Sequence, residues 1–400
     1  MLKTKKVKRI GLLGKVIIAI IAGIGLGMIA PDWLARSFAT FASIFSSFLG
    51  FIIPLLIVGF VAPAIADIGR RAGAMLLVTV LTAYIFTFGS GMLAYLTSST
   101  IFPLLVEGET AAGAAQAAAD TTPLPFFTIA IDPLMTVMSA LALAFVLGFS
   151  CAVLPDTTST LKKLIDDFRN VIQLVITRAI VPLLPLYILC IFLNMTAAGT
   201  VAPILLTFIK IIAVIFALHV AVLVLQYCVA TLFSGYNPLK ALWTMMPAYA
   251  TALGTQSSAA TIPVTLERTM KMGVSRDTAG FVIPLCATVH MSGSALKIVS
   301  CAVALMIVQG MHFDAMMFAG FVAMLGITIV AAPGVPGGAI MASLGLLSGM
   351  LGFSEADNDM MIALYIAMDS FGTACNITGD GAIAQIVDRI FRRKTSAAKL

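Results

Sequence analysis

Charge is what this 400-residue chain has least of: Asp, Glu, Lys and Arg make up 10% of it, against 60% hydrophobic residues. Soluble domains carry about a quarter charged residues, so that scarcity excludes a water-soluble protein and leaves a polytopic membrane protein. Motif spacings of enzymes are missing too. There is no GxSxG or HExxH-type arrangement, and an intramembrane hydrolase would have to be forced from Ser257, Ser258 and His290. The six cysteines (Cys151, Cys190, Cys228, Cys286, Cys301 and Cys375) all lie inside apolar segments and form no CxxC pair. They read as packing residues. A net charge of +6 does not point to nucleic acid, because the basic residues cluster at the ends of apolar segments, as the positive-inside rule expects.

Apolar runs long enough to cross a bilayer, about 20 residues each, stand near 10–30, 38–65, 73–97, 124–154, 172–195 and 202–234. The start MLKTKKVKR is basic, but the run after it lacks a small-residue cleavage site, so it reads as a retained first helix. Lys3, Lys5, Lys6, Lys8 and Arg9 place the N-terminus in the cytoplasm. Arg70 and Arg71 mark the second loop, and Lys162, Lys163 and Arg169 the fourth, as cytoplasmic. The third loop, 98–123, is acidic; Arg36 in the first outer loop runs against the pattern.

After the sixth run the segments are broken. Block 242–268 is followed by Arg268, Lys271 and Arg276, which stay cytoplasmic only if the block is a re-entrant hairpin, with GTQSSAATIP as its tip. A seventh span, 278–308, then leaves the cytoplasm, and no Lys or Arg follows until Arg389. Block 315–352 breaks at AAPGVPGGA and reads as a second hairpin, entering from outside; an acidic outer loop with Glu355, Asp357 and Asp359 follows. The eighth span, 358–388, ends at Arg389, Arg392, Arg393 and Lys394, so the C-terminus is cytoplasmic. Hairpin, interrupted span, hairpin, interrupted span is an inverted-topology repeat, carried by pattern rather than by sequence identity. In secondary transporters such paired broken segments point to a site at the membrane midplane.

The last span carries DSFGTACNITGD, residues 369–380. Asp369, Thr373, Asn376 and Asp380 are spaced four, three and four apart and share one helical face. A carboxylate at mid-bilayer costs at least about 2.5 kcal/mol, and the two acids are ~16 Å apart along a helix. Both therefore need cations, donors or water. The stripe suits a hard monovalent cation together with a zwitterionic amino acid. In the seventh span CATVHMSGSAL, residues 286–296, places His290, Ser292, Gly293 and Ser294 where local unwinding would free backbone carbonyls. His290 reads either as a satisfied core residue or as part of that site. Lys297 can snorkel, pair with an acid or supply a fixed charge.

Four stretches in order, SSAATIPVT (257–265), PLCATVHMSGSAL (284–296), GVPGGAIM (334–341) and DSFGTACNITGD (369–380), make nearly the whole chain resemble the dicarboxylate/amino acid:cation symporters, the glutamate transporter family. The nearest branch is the sodium-coupled serine/threonine one. The resemblance implies an all-α fold of eight transmembrane helices and two re-entrant hairpins, working as an elevator in a homotrimer in the bacterial or archaeal inner membrane. On that division residues 1–72 are scaffold helices one and two, and 73–122 the third helix, of the transport domain, with an outer loop. Residues 123–198 are scaffold helices four and five, and 199–400 the core of the transport domain. Na+ is the implied coupling ion, held by Asp380 and Asn376 with carbonyls at Cys286 and His290, and a second Na+ by carbonyls that include Thr288. Asp369 would take the substrate's ammonium, and Asn376 and Ser258, beside Ser257 and Thr373, its carboxylate. The tip around Gly334 and Val335 would be the outer gate.

Three positions depart from the family pattern. Gly372 stands where members for acidic substrates carry an arginine, so a bidentate carboxylate contact is lost and a small neutral amino acid is expected. Ser292 and His290 replace the aspartate and asparagine of a third sodium site that Tyr84 and Thr87 otherwise match, which implies fewer coupled ions. Lys297 is the third departure. The competing reading is a dicarboxylate or acidic amino acid symporter, sodium- or proton-coupled, in which Lys297 replaces the arginine.

Overall fold

The computed structural model describes residues 12–70, 74–105, 123–154, 159–199, 201–330 and 337–397, and their regular structure is helical throughout. In chain order the helices are α1 (Leu12–Gly27), α2 (Asp32–Arg70), α3 (Ala74–Leu105), α4 (Val137–Val153) and α5 (Ser159–Val175), which runs through a π-turn, Ile176–Ile180, into α6 (Val181–Ala197). Then follow α7 (Val201–Ser234), α8 (Pro238–Thr255), α9 (Ser258–Lys271), α10 (Arg276–Val289), α11 (Ser292–Val308), α12 (Ala315–Val330), α13 (Gly338–Leu351), α14 (Glu355–Ala367) and α15 (Asp369–Ala397).

Among the described residues five helical stretches are long and apolar enough to cross a membrane, namely α2, α3, α5 continued into α6, α7, and α10 continued into α11, or six when α14 and α15, bent by 63° at Met368, count as one span. The sequence reading expected eight. The first and fourth spans account for the difference, since α1 and α4 have 16 and 17 residues, about 24–26 Å at the helical rise. The expected span 124–154 is helical only from Val137, because Pro123, Pro125 and Pro133 break the backbone pattern before it. That non-helical segment is pinned by Arg36, which donates to the Leu124 carbonyl at 3.1 Å and stacks on Phe126. The cation that ran against the charge pattern is thus occupied in holding a chain segment. Two expected loops are also helical. Lys162, Lys163 and Arg169 lie on α5, where Lys162 pairs with Asp166 at 2.8 Å. Glu355 and Asp357 open α14, where Ser354 and Asp357 cap each other, and Asp359 reaches Tyr187 on α6.

Both hairpins are present as paired helices. The first, α8 and α9, turns at Gln256, left-handed at φ 54°, after which the Ser257 hydroxyl accepts from the Ala260 N–H. The second, α12 and α13, resumes at Gly337, whose φ of +79° glycine adopts without strain. α11 packs along α3, while α15 lies against α7, α8, α9 and α10; α2 packs chiefly on α4, α5 and α6, and α1 on α6. A cavity of about 490 Å³ opens between α2, residues 128–136, α13 and α14, away from the polar stripe on α15.

Candidate functional site

The break between α10 and α11 organises the site. His290 is extended (φ −91°, ψ 110°) and ends α10, so the first N–H groups of α11 have no helical partners. Neighbouring helices supply them. The Met291 N–H donates to Thr87 Oγ1 on α3 at 3.1 Å. Those of Gly293 and Ser294 donate to Asn376 Oδ1 on α15 at 2.7 and 3.4 Å. Asn376 Nδ2 then donates to Ser294 Oγ at 3.1 Å, where the Tyr365 hydroxyl also points. Such close approach needs glycine: a Cβ on Gly293 would lie 2.6 Å from Cys375 Cβ and from the Gly372 carbonyl.

Asp380 is fully buried beside this break. His290 Nδ1 is 2.9 Å from Asp380 Oδ1 and 3.1 Å from the Asn376 carbonyl, both acceptors, so Nδ1 carries a proton. Nε2 is 2.6 Å from Ser292 Oγ, which accepts from Gln226 Nε2 of α7 at 2.9 Å. A chain of donors therefore runs from Gln226 through Ser292 to His290 and the carboxylate. Asp380 Oδ2 and Gln226 Oε1 remain buried without hydrogen-bond partners among the described residues. Gly379 and Gly381 flank the acid and let α7 close on α15. A Cβ at Gly381 would stand 2.6 Å from the Tyr227 hydroxyl, which donates to the Thr378 carbonyl at 2.7 Å.

Asp369 opens α15, where the N-terminal dipole favours a carboxylate. The Gly337 N–H at the start of α13 donates to its Oδ2 at 2.8 Å, and Lys297 Nζ lies 3.4 Å from its Oδ1. Lys297 is wholly buried; its amine also donates to the Met368 carbonyl at 3.2 Å and stands 3.7 Å from the centre of the Tyr365 ring. The ammonium fills the space beside Gly372, 2.5 Å from where a Cβ would stand.

The structure thus brings Asp369, Gly372, Asn376, His290 and Asp380 together around two broken helices. Other expected residues stand differently. Ser257 caps its own helix, Ser258 is half-buried at the same tip, and the Thr373 hydroxyl donates to the Asp369 carbonyl. The Cys286 carbonyl accepts from the His290 N–H, and Thr288 is exposed, its hydroxyl donating to the Leu285 carbonyl. Tyr84 donates to the Ala323 carbonyl of α12. Gly334 and Val335 lie outside the described residues. The sequence reading missed Gln226 and His219, whose Nε2 is 3.2 Å from the Gly293 carbonyl. Two polar residues seven apart in an apolar helix were the available signal.

The family model described as the sodium:dicarboxylate symporter family matches residues 12–390. The chain belongs to the sodium:dicarboxylate symporter family. It is accordingly a multi-pass, cation-coupled membrane symporter and not an enzyme. Within this family it is 27% identical over 396 residues to the serine/threonine transporter SstT of Acinetobacter baumannii, covering 95% of the chain and 97% of that relative. It is 32% identical over 165 residues to the neutral amino acid transporter B(0) of Rattus norvegicus, covering 40% of the chain; that match spans only 29% of the rat protein.

Proposed function

We propose that this symporter moves small neutral amino acids of the serine and threonine kind, driven by sodium. One observation carries the reading: position 372 is glycine, and the cation beside it, Lys297, is wholly buried and committed to Asp369, Met368 and Tyr365. No guanidinium extends from that position to clamp a side-chain carboxylate. Lys297 does place positive charge near Gly372, which favours an acidic substrate, but its zero exposure argues against direct contact. The names of both relatives lean the same way.

In this reading Asp369 receives the substrate's ammonium, and Ser258, Thr373 and Asn376 face its carboxylate. Sodium is a co-substrate on Asp380. The fit rests on the orphaned, buried Oδ2, since a desolvated acceptor without a donor is costly and a cation removes that cost. The Cys286 and His290 carbonyls beside the break, with Asn376, would complete the donor set, and carbonyls that include Thr288 would hold a second sodium, as unwound segments do for sodium in other transporters. The mechanism is differential binding: sodium and substrate stabilise the closed second hairpin, and only a ligand that favours one state shifts the equilibrium. The Gly337 N–H on Asp369 Oδ2 supports the hairpin as gate. We further propose a homotrimeric elevator in the inner membrane, with both termini cytoplasmic. A transport body of α3 and α7–α15 would slide on α1, α2 and α4–α6, a division supported by the closer packing within each group.

The test is thermal unfolding of the purified protein with serine, threonine, alanine, aspartate or succinate, with and without sodium. A ligand at one hundred times its Kd stabilises by about 2.7 kcal/mol. The midpoint is expected to rise with a neutral amino acid in sodium only. A rise with succinate or aspartate alone contradicts the proposal.

A further inference from the structure

Lys297 is an ionisable side chain that the transport reading leaves without a task. It is fully buried, and all its contacts are internal: Asp369 Oδ1 at 3.4 Å, the Met368 carbonyl at 3.2 Å and the Tyr365 ring at 3.7 Å. It enters the space that glycine at 372 leaves open. Asp369 is the acid to which the proposed function assigns the substrate's ammonium, so a primary ammonium of the protein already occupies the place reserved for a primary ammonium of the substrate. With Oδ1 on the lysine, Oδ2 is aimed at the Gly337 N–H, which fastens the start of α13, the second helix of the second hairpin.

We propose that Lys297 is a built-in stand-in for the substrate's ammonium, pairing with Asp369 so that the empty transport body recloses and returns across the membrane without a counter-transported cation. The proposal rests on the reading that the substrate carries an ammonium group. The physical requirement is plain, because a lone carboxylate carried through the bilayer interior is costly and removing one partner of a buried ion pair leaves an uncompensated charge. When substrate binds, its ammonium takes Oδ1, and Lys297 keeps the Met368 carbonyl and the face of Tyr365, where a cation is held by the ring quadrupole. When substrate leaves, the lysine falls back onto Asp369. Ser294 ties this device to the sodium side, since it accepts from both Tyr365 and Asn376.

The experiment compares two fluxes of radiolabelled substrate in proteoliposomes of the full chain. Net uptake into substrate-free vesicles requires the empty return; exchange against preloaded substrate does not. The ratio of net uptake to exchange is expected to fall at least ten-fold in Lys297→Met, and to recover when the vesicles hold methylammonium. Gly372→Ala is the second variant. Its methyl meets first the flexible end of Lys297, so it moves the ammonium off Asp369 while leaving the lysine in place, and the same fall in ratio is expected. A ratio within about two-fold of wild type in the variants, or equal losses of both fluxes, overturns the proposal. If wild type exchanges aspartate and no neutral amino acid, the proposed substrate class fails while the lysine test still stands. Exchange of succinate alone removes the ammonium and overturns both.

Discussion

Asp380 shows how one side chain is both held and left open. Its Oδ1 accepts from His290, which Ser292 and Gln226 orient, whereas Oδ2 has no described donor. The anchored oxygen fixes the angle at which the other meets an ion. Asp380→Asn keeps the size and the bond from His290 but removes the charge. The expected outcome is at least a ten-fold rise in the sodium concentration for half-maximal uptake, read from a sodium titration; an unchanged titration would sink the assignment. The acid itself was legible in the sequence, because a carboxylate in an apolar span demands a reason. The use of His290 was not. Only its backbone carbonyl was assigned a role from the sequence; that the imidazole also holds Asp380 was not foreseen, because a helix break turns the side chain of its last residue toward the neighbouring helix, which one-dimensional spacing does not encode.

At the scale of elements the site is a contact between two interrupted spans. Asn376 of α15 caps α11, and Gly293 of α11 sits where any larger residue meets Cys375 and the Gly372 carbonyl. Gly293→Ala is therefore expected to destabilise the fold by about 1–3 kcal/mol, the usual cost of overpacking, seen as a lower unfolding midpoint in detergent. An unchanged midpoint would mean that the two helices give way easily. Both hairpins and both breaks were legible from small and polar residues interrupting apolar runs and from the cations at 268–276. The helical nature of 159–171 and 355–357 was not. Charged stretches such as Lys162–Arg169 resemble loops until one sees that their apolar residues line one side of a helix. The mismatch at 124–136 has the opposite cause: it opens an apolar run, 124–154, long enough to span, but Pro125 and Pro133 keep its first part out of the helix.

For the whole molecule, the packing separates α1, α2 and α4–α6 from the helices that carry the polar stripe, with Asp359 and Tyr187 among the contacts that bridge the groups. The paired broken segments were readable in the sequence as small and polar residues that interrupt apolar runs. What the sequence did not disclose is that Lys297 and Gly372, 75 positions apart, share one space. Whether the missing arginine means a neutral substrate or a relocated cation turns on that juxtaposition, and the zero exposure of Lys297 favours the former. The most direct measurement is uptake of radiolabelled serine, threonine, alanine, aspartate and succinate into proteoliposomes, with and without an inward sodium gradient. The account predicts that a neutral amino acid accumulates, and only with sodium; preferential accumulation of aspartate or succinate, or uptake indifferent to sodium, would contradict it.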